Sequence, residues 1–318
     1  MSELQNFSKT QTIVSTMMHC ENTNGEEEKI MKASSEMIRD ISLAEADVVL
    51  IGVPYEGTVS GEKGTAKAPR AICRQLKEQV EEFDLLLWKR TCGEVKIAEK
   101  HLDEELKGWG PYPVTGTIRE EIAKVIQQGL FPVVLGGEHT VSLGAIQAAH
   151  KKFPDLTVVQ FDAHADMRDH TGDYEETWQK IAHSTVMRRV YELGCQIVQI
   201  GIRSMSEMEY EFLVSNDLMK NVIPANFWGS SEDIIDQIAN RNVWLTVDVD
   251  VFSGADFPGT GTFEPGGIGW DKFMHIANLL FCRKNVVGFD VVEVIPDNKT
   301  DYAAAKLVYN LIGRKFSK

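Results

Sequence analysis

Short apolar runs recur along the chain from residue 47 onward, at 47–51, 132–135, 157–161, 196–202, 243–247 and 286–292. Each is rich in Val and Ile and lacks polar–apolar alternation, as expected of strands buried on both faces. Between them the apolar positions fall at helical spacing. Ile118, Ile122, Val125 and Ile126 share one helix face, and Gly129 supplies a C-terminal stop. Residues 142–153, 185–193, 233–239, 271–281 and 303–312 follow the same rhythm. Strand and helix in alternation predict an α/β fold, three layers α/β/α with a mostly parallel central sheet. Residues 1–41 lack that order and read as a polar N-terminal lead-in, partly disordered or helical. Residues 42–318 read as a single α/β domain.

Composition narrows the partners. The net charge of -14 and pI near 5.1 argue against nucleic acid or an anionic membrane and suit a small cationic substrate. No run reaches the length of a membrane span, and the acidic N-terminus lacks the basic and apolar regions of a secretion signal. Cys20, Cys73, Cys92, Cys195 and Cys282 are odd in number, scattered and without a CxxC pair. That pattern fits a reducing compartment, and the cytoplasm is the expected location. Cys195 and Cys282 are expected to be buried small hydrophobes, not nucleophiles.

Chemistry collects where the strands end. In TVVQFDAHADMRD (157–169), Asp162, His164 and Asp166 follow a buried run at every second position. If the chain stays extended, the three side chains share one face. Carboxylates packed so closely raise each other's pKa, and a cation is needed to keep them ionised. In 133–140 (VVLGGEHT) a strand ends in two glycines and delivers His139 to a helix start; the run lacks the Lys-Ser/Thr ending of a phosphate loop. In 245–252 (LTVDVDVF), Asp248 and Asp250 repeat the two-residue spacing, and Asp290 and Glu293 end a fourth strand. The ends of parallel strands share one crevice, so His139, Asp162, His164, Asp166, Asp248 and Asp250 converge there. One divalent ion cannot use six such donors well; two can, sharing a carboxylate. Oxygen-rich ligation with some imidazole favours Mn2+, while Ni, Co, Fe or Zn also fit the donor atoms.

These stretches resemble the ureohydrolases, the family of arginase and agmatinase, and look closest to agmatinase. The resemblance rests on Gly136 to His139, on the DAHxD of Asp162 to Asp166, and on Thr246 to Gly254 for SxDxDxxDP. It continues through 52–58, 69–70, 258–262, 264–267 and Val292-Glu293. It implies an arginase-like fold and a binuclear-metal hydrolase cleaving agmatine to urea and putrescine, a step of polyamine biosynthesis. Guanidinobutyrase, arginase or formiminoglutamase chemistry, or a non-catalytic role, are the alternatives. By position it implies that His139, Asp162, Asp166 and Asp248 hold one metal and Asp162, His164, Asp248 and Asp250 the other. It assigns Glu293 to the substrate guanidinium and Asp166 with His183 to proton transfer. It also implies a homo-oligomer, trimer or hexamer. The chain departs from the family at Thr246 for Ser, Ser253-Gly254 for Asp-Pro, and Glu138 for the commoner Asp. In the family the loop after Asp166 lies near the substrate tail. Asp169, Asp173, Glu175 and Glu176 would there attract an ammonium, whereas Arg168 would favour a carboxylate.

Overall fold

A computed structural model describes Ile38 and residues 41–172, 178–227 and 229–317. The lead-in therefore lies outside the described residues, apart from Ile38 and Ile41, as do the loop acids Asp173, Glu175 and Glu176.

The strands are β1 (Val48–Gly52), β2 (Phe83–Asp84), β3 (Lys89–Arg90), β4 (Ile97–His101), β5 (Phe131–Leu135), β6 (Thr157–Phe161), β7 (Gln196–Ile202), β8 (Val222–Pro224), β9 (Asn242–Asp248) and β10 (Asn285–Val292). The helices are α1 (Ala68–Glu78), α2 (Thr91–Glu94), α3 (Pro111–Gln127), α4 (Thr140–Lys152), α5 (Val186–Glu192), α6 (Glu207–Ser215), α7 (Ser231–Asp236), α8 (Trp270–Arg283) and α9 (Thr300–Lys315). β2 and β3 pair in a small ribbon. The other eight form one sheet in the order β4-β1-β5-β10-β9-β6-β7-β8, and every pairing in it is parallel.

Both faces of the sheet are covered, which is why the expected strands show no alternation. Along β1, Val48 and Leu50 pack with Ile72 of α1, Phe273 of α8 and Leu307 of α9 in one apolar layer. Val49 and Ile51 face the other, with Ile118 of α3 and Val141 of α4. Pro132 is tolerated inside central β5 because Phe131 donates to Asp47 on the β1 side, and β10 begins its pairing only at Val133. The missing N–H thus falls where no ladder bond is due.

Two strands of the main sheet, the small β2–β3 ribbon and two longer helices escaped the sequence pattern. β4 (IAEKH) is a half-polar edge strand and β8 is only three residues long. α1 opens with Pro69 in its first turn, a start signal that could have been read. α6 carries the capping box Ser206/Glu209, a second legible signal.

Candidate active site

The site is built from the carboxyl ends of the four central strands β5, β10, β9 and β6. β5 ends at Leu135, and Gly136-Gly137 bend the chain so that His139 stands at the N-terminus of α4. Both glycines are needed for close approach. A Cβ on Gly137 would lie 1.7 Å from the Tyr55 carbonyl oxygen, and one on Gly136 would lie 2.6 Å from Val292 Cγ1.

After β6 the chain does not stay extended as expected. It enters an irregular loop in which Asp162 Oδ1 accepts the His164 N–H at 2.6 Å and Oδ2 accepts Gln160 Nε2 at 2.6 Å. Asp166 takes a left-handed φ of 54°, held there because its carbonyl accepts the N–H groups of Met187 and Arg188 on α5. The convergence predicted from strand alternation is real, but a turn produces it. Strain of this kind costs of order 1–3 kcal/mol and clusters at functional sites. Glu293, just beyond β10, is the second example, with φ 62°.

β9 ends at Asp248, whose Oδ1 accepts the Asp250 N–H at 2.9 Å within a single turn (Val249–Val251). Asp250 Oδ1 in turn accepts the Ala163 N–H at 2.9 Å, clamping this turn to the β6 loop.

Six side chains therefore meet. His139 Nδ1 lies 3.1 Å from Asp162 Oδ2, 2.9 Å from Asp166 Oδ2 and 3.6 Å from Asp248 Oδ2. His164 Nδ1 lies 2.8 Å from Asp250 Oδ2 and 3.7 Å from Asp162 Oδ1. Two three-donor groups result, His139–Asp162–Asp248 and Asp162–His164–Asp250, the donor atoms within each lying inside 4.8 Å of one another. Asp162 belongs to both.

Electrostatics shows what the cluster is suited to hold. Burial and then Asp162 raise Asp166 to about 7. Burial, with Asp250 and Asp162 beside it, pushes Asp248 well above the usual carboxylate range, and burial with Asp162 raises Asp250. Burial opposes charge on His164, yet Asp162 and Asp250 outweigh it and push the imidazole up to about 12. His139 Nδ1 and Asp250 Oδ2 are buried and meet only other groups of the cluster, without a well-aligned hydrogen bond. Two divalent cations fit this donor set. They would neutralise the repelling carboxylates, ligate both of these atoms and displace the protons.

Further residues support the cluster. His139 Nε2 meets Thr246 Oγ1 at 3.0 Å, and that hydroxyl donates to Asp290 Oδ1 at 2.6 Å. Asp290, the other acid at the end of β10, also accepts Ser142 Oγ at 2.9 Å and Trp244 Nε1 at 2.6 Å, so its carboxylate is spent inside the fold. Glu293 Oε1 accepts the His139 N–H at 2.8 Å, and the residue lines a cavity of about 270 Å³ with His139, His164, Asp166 and Asp248. Burial and Glu138 raise its pKa well above the ordinary value, so a cation is favoured beside it.

His183 opens a single-turn helix (His183–Thr185) and lines the same cavity. Its Nε2 meets Ser60 Oγ at 3.1 Å and its Nδ1 lies 3.9 Å from Glu138 Oε2, while burial lowers its pKa to about 4. Glu138, completely buried, is pushed up to about 7 by burial and is held by Thr58 Oγ1 at 2.7 Å.

Two expectations need correction. Asp169 does not reach the substrate cavity; Arg189 Nη2 binds its carboxylate at 2.9 Å, and Asp169 is not among the described lining residues. Cys282 is exposed, because its place near the end of α8 turns it outward, whereas Cys195 is buried as expected. Arg168, the loop arginine singled out in the sequence, lines the cavity, and lining residues missed there include Ser60, Ser204, Met205, Ser206 and Glu209. Glu209 fixes the loop by accepting Met167 N at 2.8 Å and Ser206 N at 2.7 Å, and Arg168 Nε lies 3.8 Å from it.

Comparison with known proteins identifies the family. A model of the arginase family matches residues 46–313. An N(1)-aminopropylagmatine ureohydrolase from Synechocystis is 33% identical over 86% of this chain and 90% of that protein. An agmatinase from Bacillus anthracis is 34% identical over 85% of this chain and 92% of its own length. Among solved structures, the agmatine ureohydrolase of Thermoplasma volcanium superposes with a TM-score of 0.77 at 27% identity, covering 90% of this chain and 97% of that one. A family model spanning most of the chain, matched on the same fold, leaves one conclusion: this chain is a member of the arginase family of hydrolases.

Proposed function

We propose that this chain hydrolyses agmatine to putrescine and urea, using two Mn2+ ions held by His139, Asp162, His164, Asp166, Asp248 and Asp250. His139, Asp162, Asp166 and Asp248 would hold one ion, and Asp162, His164, Asp248 and Asp250 the other. The observation that carries the reading is the placement of Glu293 on the wall of the cavity that the metal-ligand candidates line. Two such ions would acidify a bound water and supply a nucleophile near neutral pH.

The residues of the chain do the rest. Glu293 is anchored through Oε1 by the His139 N–H, and its second oxygen accepts from the substrate guanidinium, whose charge keeps the carboxylate ionised. That contact holds the central carbon in line for attack. Asp166 takes the proton released in the attack. His183, neutral at pH 7, relays it to the leaving nitrogen, taking it up on one ring nitrogen and releasing it from the other through Ser60. The carbon–nitrogen bond breaks as the added oxygen becomes the urea carbonyl; the amine leaves neutral and takes its second proton from solvent, replacing the one the nucleophilic water gave up.

The tail assignment is supported by the charge pairing of the lining. Arg168 is matched by Glu209, and Glu264 Oε1 stands 3.8 Å from His164 Nε2, so the cavity offers a carboxylate tail no unopposed cation among these groups. The relatives' names give a second reading, N1-aminopropylagmatine, which carries a longer cationic tail. Comparing kcat/KM for agmatine, N1-aminopropylagmatine, arginine and 4-guanidinobutyrate decides among them. A preference for either carboxylate-bearing compound overturns the tail assignment and leaves the metal chemistry untouched. The trimer or hexamer rests on family resemblance and the cytoplasmic location on the cysteine pattern. Sedimentation and cell fractionation test them.

A further inference from the structure

A second group of ligating side chains lies at the edge of the sheet, away from the four strands that build the catalytic centre. Cys73 of α1, Glu99 and His101 of β4 bring a thiol, a carboxylate oxygen and an imidazole nitrogen within 4.8 Å of one another. The positions follow from secondary structure. Ile97, Glu99 and His101 alternate onto the face of β4 that α1 covers, where Ile97 and Cys73 join the same apolar layer. Cys73 is 4% exposed, so its sulfur is presented inward.

The orientation of each donor is set. Gly52 on β1 pairs with His101, and its missing side chain makes room for the ring; a Cβ there would lie 2.2 Å from His101 Nδ1. With that edge of the ring over Gly52, Nε2 lies 3.9 Å from Glu99 Oε2. Glu99 Oε1 is taken by Lys77, one turn along α1 from Cys73. Glu99 Oε2 is buried without a well-aligned hydrogen bond, facing the Cys73 thiol and, at 3.9 Å, the His101 ring.

We propose that Cys73, Glu99 and His101 form a third, mononuclear metal site, selective for a thiolate-seeking divalent cation of the zinc type. One thiolate and one carboxylate match the charge of such an ion. Sulfur, nitrogen and oxygen together are a zinc donor set, unlike the all-oxygen-and-nitrogen catalytic cluster. Three protein ligands leave a coordination position for water. Lys77 positions the carboxylate through its other oxygen, as outer partners of metal ligands commonly do. The imidazole is ready to ligate, since burial holds its pKa below the ordinary value, and Arg70 and Lys77 add to that against Glu99. The thiol must lose its proton on binding. Burial and Glu99 raise Cys73, so metal uptake here releases a proton and tightens as pH rises. The role that follows is a clip between α1 and the edge strand β4, which has a neighbour in the sheet on one side only.

The test uses Co2+ on the full-length protein. Thiolate-bound cobalt gives a near-ultraviolet sulfur-to-metal charge-transfer band that oxygen and nitrogen ligands cannot give, so the catalytic cluster is silent in that window. The parent should show the band and hold one cobalt more than Cys73→Ser, which should lose the band, keep hydrolase activity and keep the other metals. His101→Ala leaves the sulfur in place and should weaken binding at this site by ~10-fold or more. It also serves if Cys73→Ser does not fold. Absence of the band in the parent, persistence of the band in Cys73→Ser, or unchanged affinity in His101→Ala overturns the proposal.

Discussion

Replacing Thr246 by Val should weaken metal binding at the His139 position without touching a ligand. Thr246 is fully buried, and its hydroxyl has one proton to give. It gives that proton to Asp290 Oδ1 at 2.6 Å, so it accepts from His139 Nε2 at 3.0 Å. When His139 ligates a metal, the imidazole is thereby fixed with its proton on Nε2 and its lone pair on Nδ1, the nitrogen that faces Asp162, Asp166 and Asp248. Valine keeps the shape and removes the relay. Losing an outer hydrogen bond of this kind costs ~10–100-fold in metal affinity, or about 1.4–2.7 kcal/mol. Asp290 also loses one of three donors, at a cost to stability of ~1–3 kcal/mol.

The two effects separate experimentally. Urea unfolding of the metal-free protein reads the stability loss, and competition against a chelator of known affinity reads the metal. Thr246→Ser returns the hydroxyl, which is the residue the family more often carries, and should restore both. Parental metal affinity in Thr246→Val would refute the argument that this hydroxyl sets the tautomer of His139.

Other outcomes follow from the same geometry. Asp162→Ala and Asp248→Ala should each lose both ions and all activity, while His139→Ala and Asp250→Ala mainly weaken one site, read by metal analysis after dialysis; full metal content in Asp248→Ala rules out its bridging role. Glu293→Gln keeps an oxygen for the His139 N–H and should bind metal normally while kcat/KM falls ~100-fold or more, as removal of an oriented charge does. Gly137→Ala drives a Cβ to 1.7 Å from a backbone oxygen that cannot rotate away, and should destabilise by about 3 kcal/mol or more in urea. Metal uptake should release protons and weaken as pH falls. Asp162 and Asp250 hold His164 protonated in the metal-free cluster, ligation needs it neutral, and calorimetry in buffers of differing ionisation enthalpy measures the release.

What was legible in the sequence was whatever depends on local order. Strands buried on both faces announce themselves by uninterrupted Val and Ile, so β1, β5, β6, β7, β9 and β10 were readable and the parallel sheet with them. β4 was not, because an edge strand alternates and Glu99, Lys100 and His101 look like a polar loop. The six metal-ligand candidates sit next to readable strand ends, and parallel pairing alone gathers them. The means of gathering was misjudged at one point. Strand alternation cannot continue through Asp166 at φ 54°, and the left-handed turn is fixed by α5, a partner far from any local pattern.

Asp169 was misplaced for a different reason. A count of acids along 169–176 treats each charge as available, yet availability depends on which partner the fold supplies. Asp169 is satisfied by Arg189, twenty residues on and on a helix. Glu209, forty-two residues beyond Met167, is the carboxylate that lines the cavity and sits beside Arg168. The same reasoning separates Asp290 from Glu293. Both are acids at the end of one strand, but alternation along β10 turns Asp290 into Ser142, Trp244 and Thr246, where three donors consume it. The left-handed φ of Glu293 instead returns its carboxylate to the His139 N–H and leaves an oxygen to bind substrate. A charge seen in sequence becomes a candidate for substrate only after the fold has failed to satisfy it, and on that criterion Glu293 and not Asp290 is the residue to mutate first.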